Sequence, residues 1–235
     1  GVKFTSKNIS SAAEAGNLPS LTFLVGSGLS IPDDACKSAA QRGHVECLRL
    51  LHQHHAQWDW HTLYSAAFYY HLDAVVFLHE NGCVWSHSVT KTAAGSGCLA
   101  VLRYAIDHGC PYDEVKVLQQ AASARMGSLA CLQYLIGEKR IAMNADGSVF
   151  VKAFVRGDLE CVKYLLDQGC PAVASSPEMW DEIGSKLVLG LDKLIARCIE
   201  HATSRGWDLQ VAGAGLVGYL SKHMKKFPLS YALCV

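Results

Sequence analysis

Short stretches of apolar residues at helical spacing recur along the chain, each preceded by a small, alanine-rich stretch. In VECLRLL the apolar positions include Val45, Leu48 and Leu51, and in LECVKYL they include Leu159, Val162 and Leu165. A period near 3.6 makes each an amphipathic helix. The preceding segments carry alanine pairs, Ala39-Ala40, Ala66-Ala67 and Ala93-Ala94, and most end on glycine, which readily takes the left-handed helix cap. Aligned on that pivot, six segments fall into register: SAAEAGNLPSLTFL, SAAQRGHVECLRLL, SAAFYYHLDAVVFL, TAAGSGCLAVLRYA, ASARMGSLACLQYL and KAFVRGDLECVKYL. The pivots are Gly16, Gly43, Tyr70, Gly97, Gly127 and Gly157, at steps of 27, 27, 27, 30 and 30 residues. Each copy therefore predicts two short helices, with a loop containing Gly and sometimes Pro leading to the next. Such a pair cannot bury its apolar face alone. A fixed period of this length predicts an all-α solenoid of stacked helix pairs with short loops.

The string AAQRGHVECLRLL, Ala39 to Leu51, resembles the core of an ankyrin repeat, whose pattern is TPLHxAAxxGHxxVVxxLLxxGA. Loops such as NGCVW and HGCPYD resemble those of divergent, short-repeat ankyrin arrays found in protists and giant viruses. The resemblance covers about Lys7 to Pro171. It departs in two respects: the usual period is about 33, and the TPLH turn is missing, its counterpart in the second copy being Asp34-Ala35-Cys36-Lys37. The missing residues fall where ankyrin repeats build a β-hairpin finger, so the resemblance implies stacked helices with short loops. Residues 1–171 read as six ankyrin-like repeats and residues 172–235 as two degenerate repeats forming a C-terminal cap. In that second part PAVASSPEM reads as a longer loop, Asp181 to Arg205 as a seventh helix pair, and VAGAGLVGYL as the start of the terminal repeat.

Charged residues make up 18% of the 235 and apolar residues 50%, against a usual quarter charged. An elongated array has more surface than a globule of equal length, so this composition predicts exposed apolar patches. Lys plus Arg number 21, as do Asp plus Glu, which leaves no overall field for nucleic acid or acidic lipid. The basic group Lys222, His223, Lys225 and Lys226 reads as a solvated face. No apolar run approaches the roughly 18–20 residues that span a bilayer. Ten cysteines with no signal peptide at the start point to a reducing, intracellular, cytoplasmic setting.

The repeat also orders the residues that could carry chemistry. Cys83, Cys110 and Cys170 fall thirteen residues after their pivots, and Cys47, Cys131 and Cys161 four residues after theirs. Equivalent positions of stacked helices lie roughly 8–10 Å apart, beyond the about 4.4–6.8 Å between Cα atoms that a disulfide tolerates, and no CxxC pair occurs. These cysteines are expected to be reduced, buried, small hydrophobes. The cluster HQHHAQWDWH, His52 to His61, could offer imidazoles to a metal. However, His52 matches His79 in register and His54 matches His108, so solvated helix-end histidines are expected instead. Gly213, Gly215 and Gly218 have the GxGxxG spacing of a dinucleotide fold. That fold needs a further strand with an acidic residue about 20 positions on, and no Asp or Glu follows Asp208. A degenerate repeat is the stronger reading there, and a dinucleotide-binding enzyme the weaker. No catalytic residue, metal, cofactor or small-molecule substrate is predicted.

The first helices of successive repeats should line one concave surface. Their outward positions, six, five, two and one residues before the pivot, are small or polar in the first copy: Ser10, Ser11, Glu14 and Ala15. In the third copy they are Tyr64, Ser65, Phe68 and Tyr69, the pivot is Tyr70, and Trp58 and Trp60 stand in the preceding loop. Two readings stay open. Clustered Trp and Tyr make interface hot spots; alternatively, Tyr70 displaces the chain and the aromatics pack over the defect. Lys37, Arg42 and Lys91 would form a basic rim. Ankyrin arrays are overwhelmingly protein-binding scaffolds without chemistry of their own. The resemblance thus implies a non-catalytic scaffold or subunit that binds another protein, within a large assembly, through the face centred on Trp58, Trp60, Tyr64, Phe68 and Tyr69. The alternative is a substrate-recognition adaptor of a larger machine such as a ubiquitin ligase. Nucleic acid is not an expected partner.

Overall fold

The computed structural model describes residues 4–143 and 147–170. The two degenerate repeats, the glycines Gly213, Gly215 and Gly218 and the basic group at 222–226 lie outside the described residues. Helices follow one another in pairs: α1 (Ser6–Glu14) with α2 (Leu18–Gly26), α3 (Ala35–Gln41) with α4 (Val45–Gln53), and α5 (Trp60–Phe68) with α6 (Leu72–Glu80). Then come α7 (His87–Ser96) with α8 (Leu99–Asp107), α9 (Glu114–Ser123) with α10 (Ser128–Leu132), and α11 (Ser148–Arg156) with α12 (Leu159–Asp167). A π-helical stretch, Gln133–Glu138, continues α10. There is no strand among the described residues, and so no hairpin finger.

The helices fall into two compact units. The first takes the residues up to Val117 together with Arg125–Gly127, and the described part of the second takes Leu118–Ala124 and the residues from Ser128 to Cys170. In the first unit α1, α3, α5 and α7 stack in one layer, and α2, α4, α6 and α8 in a second. In the second unit α12 packs against α10 and α11. This is the solenoid of stacked helix pairs that the repeat predicts.

The alanines set how closely the first helices approach. Ala39, Ala40, Ala66, Ala67, Ala93 and Ala94 are all 0% exposed, and a methyl group is the least bulk that still fills the space between two axes. Each second helix adds longer apolar residues at helical spacing: Leu48 and Leu51 in α4, Val75 and Leu78 in α6, Val101 and Leu102 in α8, all fully buried. Ala153 in α11 is buried as well.

The pivots close the first helices. In all six copies the pivot has a left-handed φ, between 66° at Gly127 and 74° at Gly97, although α9 already ends at Ser123, four residues before Gly127. The next backbone N–H then turns back to the helix: His44 to the Ala39 carbonyl at 3.0 Å, His71 to Ala66 at 3.0 Å, Cys98 to Ala93 at 2.9 Å. This is the Schellman cap, which satisfies carbonyls that the helix end would otherwise leave unpaired.

The recurrent Gly-Cys pair closes the second helices in the same way. Gly82, Gly109 and Gly169 are left-handed, and the amides of Cys83, Cys110 and Cys170 each donate to a helix carbonyl (Leu78, Ala105, Leu165) at 2.9 Å. The thiol then tucks under the cap, where this motif commonly places an apolar contact. Cys83 Sγ donates onward to the Asp59 carbonyl at 3.2 Å and Cys110 Sγ to the Ser86 carbonyl at 3.4 Å. In both cases the acceptor is the residue that caps the first helix of the same copy.

All eight described cysteines are free, and Cys98 is the one among them that is not buried. Burial pushes the Cys36 and Cys161 thiols up to about 12, and those of Cys83 and Cys110 up to about 11. Since the thiolate is the nucleophile, these groups are inert in the folded chain. In the native protein a thiol reagent is expected to label Cys98 first, with Cys36, Cys83, Cys110 and Cys161 labelled only on unfolding. Peptide mapping by mass spectrometry after a timed reaction checks this; rapid native labelling of Cys83 and Cys110 would contradict it.

Candidate partner-binding surface

Helix α5 starts at Asp59, whose carboxylate accepts the amides of His61 at 3.0 Å and Thr62 at 3.3 Å. The His61 ring closes on the same carboxylate at 2.8 Å. Burial alone would raise the Asp59 carboxyl, but the bonds from the His61 ring and the two amides outweigh it and hold the group below the usual range. From that cap Leu63, Ala66 and Ala67 turn inward, all 0% exposed. Trp60, Tyr64 and Phe68, four residues apart, share another face of the helix.

On that face the rings touch one another. Trp60 meets Tyr64 edge-on at 6.4 Å, Tyr64 stacks with Phe68 at 6.1 Å, and Phe68 meets Tyr69 edge-on at 5.0 Å. Trp60 is 39% exposed and Phe68 and Tyr69 are each 46% exposed, while Tyr64 is half-buried. Trp60 is the first residue of α5 and not part of the loop before it. Ser65, expected to face outward, is instead buried, and its hydroxyl donates to the His61 carbonyl at 2.7 Å. Three to four aromatic rings thus lie on the surface of a layer whose neighbouring positions carry Ser, Lys, Gln and Thr.

Tyr70 leaves the chain path unchanged, because its φ of 67° matches that of the glycine pivots. What differs is the packing above it. The His44 ring covers Gly16 and donates from Nε2 to the Glu14 carbonyl at 3.1 Å; His71 covers Gly43 and donates to the Gln41 carbonyl at 3.2 Å. A Cβ on Gly43 would come within 2.5 Å of the His71 ring. Over Tyr70 the corresponding residue of the next copy is Cys98, a much smaller side chain. The Tyr70 hydroxyl donates forward to the Ser96 carbonyl at 3.3 Å. The tie between copies is kept, with its direction reversed.

Lys37 on α3 and Lys91 on α7 are exposed on either side of the aromatic strip. Arg42 is engaged with Glu14 at 3.0 Å, both side chains more than half exposed, a pair that contributes little to stability. Trp58 sits apart from the strip. It stacks on His52 at 4.3 Å and meets the edge of Phe77 at 6.1 Å, so it belongs with the second helices α4 and α6. One copy later Trp85 repeats the arrangement on His79 at 4.6 Å. Burial, and then the charge of His108, lower the pKa of His79. The sequence carries a signal for this role: Trp58 and Trp85 both stand fifteen residues after their pivots, and His52 and His79 nine. Trp58, Trp60 and Trp85 line an open groove of about 770 Å³ between successive loops, with His52, His55 and Val84. No group of three or more His, Cys, Asp or Glu among the described residues could hold a metal ion.

Helix pairs stacked in this order, each with a left-handed pivot between its two helices, define the ankyrin-type solenoid. A solved structure with this fold is the human ASB11 ankyrin repeat domain. It is similar to this chain with a TM-score of 0.55 and 16% identity, over 76% of this chain and 96% of that one. At that identity the likeness is one of fold alone. No protein-family model matches the chain, and no curated protein matches it in sequence. No helix among the described residues is long and apolar enough to cross a membrane.

Proposed function

We propose that the protein is a non-catalytic scaffold or subunit that binds another protein through the α5 face of its first-helix layer. The observation that carries this reading is the strip of mutually touching, partly exposed rings of Trp60, Tyr64, Phe68 and Tyr69. Aromatics in contact with each other in water leave apolar area that a partner can cover, and Trp and Tyr dominate the energies of such contacts. The ankyrin fold supports the same reading, as a fold used for holding partners. The free cysteines support a reducing, intracellular setting, and attachment to a larger assembly as recognition subunit is the narrower form of the proposal.

The test is affinity capture from native lysate, comparing the wild-type chain with the double variant Tyr64→Ala/Phe68→Ala, followed by mass spectrometry. Binding of the captured partner is expected to weaken by about 2 kcal/mol or more in the variant, with an unchanged circular dichroism spectrum and urea midpoint. A variant that unfolds, while binding per folded molecule stays the same, makes these rings part of the core and sinks the reading.

A further inference from the structure

The loops between copies carry a surface of their own. Trp58, in the loop before α5, and Trp85, in the loop before α7, line the groove of about 770 Å³ together with Trp60 and Val84. Val84 is 74% exposed and Trp60 39% exposed, so the groove keeps apolar area in contact with water. Trp58 packs on His52 and Trp85 on His79, so each indole is held against a second ring while still lining the groove. A second cavity, of about 490 Å³, meets the groove at Gln57, Trp58 and Asp59. Asp33, Asp34 and Asp59 line it, with Lys37 and His61. Asp34 accepts the Ser10 hydroxyl, and Asp59 the His61 ring and two α5 amides. Hydroxyl and amide donors leave a carboxylate its charge, and at Asp59 they hold it in the ionised form. Asp33 has neither an ion pair nor a side-chain hydrogen bond among the described residues. Lys37 is the one Lys or Arg among the described residues that lines either cavity. Three carboxylates thus face one ammonium, and even a protonated His61 leaves the acids in excess.

We infer that the groove and the cavity together take a basic, extended segment of a protein partner. An arginine enters the cavity of Asp33, Asp34 and Asp59 beside Trp58, and an apolar side chain fills the groove between Trp58 and Trp85. Charge complementarity selects the cation. The indole selects arginine over lysine, because a guanidinium stacks on an aromatic face and pairs a carboxylate through two N–H groups, whereas an ammonium is a strongly hydrated point charge. The cavity lies between the loops that precede α3 and α5, and the groove between those that precede α5 and α7. A segment filling both therefore crosses successive copies and must be extended. This surface goes beyond the α5 strip, since Tyr64, Phe68 and Tyr69 line neither cavity.

Fluorescent peptides Gly-Ser-Arg-Ala-Leu-Ser-Gly, and versions with Leu one residue nearer to Arg and one farther, test this by anisotropy against the full chain. The assay runs at about pH 8, where an ordinary imidazole is neutral. Counterparts carry Lys, Gln or Glu in place of Arg. The tightest Arg peptide is expected to bind about tenfold more strongly than its Gln counterpart, as one cation–π contact and an exposed ion pair together allow. Lys is expected to fall between them and Glu to bind weakest. The advantage of Arg over Gln is expected to drop to about twofold or less in Asp33→Asn/Asp34→Asn, which keeps the α3 cap. It is also expected to shrink as salt rises from about 50 to about 300 mM. Trp85→Leu is expected to weaken Arg and Gln peptides alike, by about threefold or more; if its urea midpoint falls, the exposed Val84→Ser carries the same comparison. Tyr64→Ala/Phe68→Ala is expected to leave every affinity unchanged, which keeps this surface and the α5 face separately testable. Equal binding of the Arg, Gln and Glu peptides overturns the inference. So does an Arg advantage that survives Asp33→Asn/Asp34→Asn, or the absence of binding by all Arg peptides at millimolar concentration.

Discussion

Gly97→Ala is expected to destabilise the first unit by about 4 kcal/mol, at the upper end of what single substitutions do. Two costs add. Gly97 has φ +74, where a side chain costs about 1–2 kcal/mol. In addition, a Cβ there would lie 1.5 Å from the Met126 carbonyl oxygen and 3.2 Å from Gly127 Cα. Both obstacles are backbone, and neither can rotate away. The contact is reciprocal, since a Cβ on Gly127 would meet the Gly97 carbonyl oxygen at 2.2 Å. Two other glycines separate the contributions. In Gly43→Ala the nearest atoms all belong to the His71 ring, which can swing aside at the loss of its bond to the Gln41 carbonyl, for about 2–3 kcal/mol in all. Gly109→Ala has φ +78 and nothing within 4 Å, leaving strain alone at about 1 kcal/mol. Urea midpoints should fall in the order Gly109, Gly43, Gly97. A Gly97 variant no worse than the Gly109 variant would show that the chain can part at this point without cost.

Leu48→Ala is expected to cost about 3–4 kcal/mol, within the range for cavities left by a buried leucine. Leu48 is 0% exposed, and its helix α4 packs on α3, α2 and α6. A cavity there is walled by three elements, so it cannot close by moving one of them. Arg49→Ala next to it is the control. Arg49 lies 5.1 Å over the Phe77 ring and 3.5 Å from Glu46, with a side chain 51% exposed, and removing it should cost about 1 kcal/mol or less. Guanidinium or urea unfolding followed by circular dichroism measures both. A single transition of unchanged slope is expected for Leu48→Ala. A split transition would mean that its copy unfolds separately from its neighbours, as nearest-neighbour coupling in a repeat array permits.

The helix pairs are legible in the sequence because alanine pair, pivot and apolar triplet recur in one phase, and six repetitions of a weak local signal add up. Position within the copy is a partial guide to the face: Phe68 and Tyr69 are exposed, but Tyr64 is half-buried and Ser65, given an outward position by the same rule, is buried. Trp58 is misplaced by sequence proximity. It stands two residues before Trp60, but Asp59 between them is extended, with φ −134 and ψ −174, and Trp58 stacks on His52 whereas Trp60 packs on His61 and Tyr64. The Gly-Cys pairs are half legible: burial follows from residue type, whereas the amide that closes the helix end is a backbone event with no side-chain signature. That Tyr70 and Cys98 stand at the register positions held by glycine and histidine in the earlier copies is not legible at all from either residue alone. The two positions are 28 apart, and their meaning depends on seeing His44 over Gly16 and His71 over Gly43.

That pairing decides which copies can be gained or lost. A tandem duplication of the second copy sets His44 over Gly43, and deletion of that copy sets His71 over Gly16; both are the ring-on-glycine joint already in use. Duplicating the third copy would instead drive His71 against Tyr70, two rings in space that holds one. Deleting it would leave Cys98 over Gly43, with a void where a ring belongs. Whole copies can therefore be inserted or removed on the N-terminal side of Tyr70 without rewriting a joint. The third copy, which carries the aromatic strip, must travel through any such recombination together with the copy that follows it.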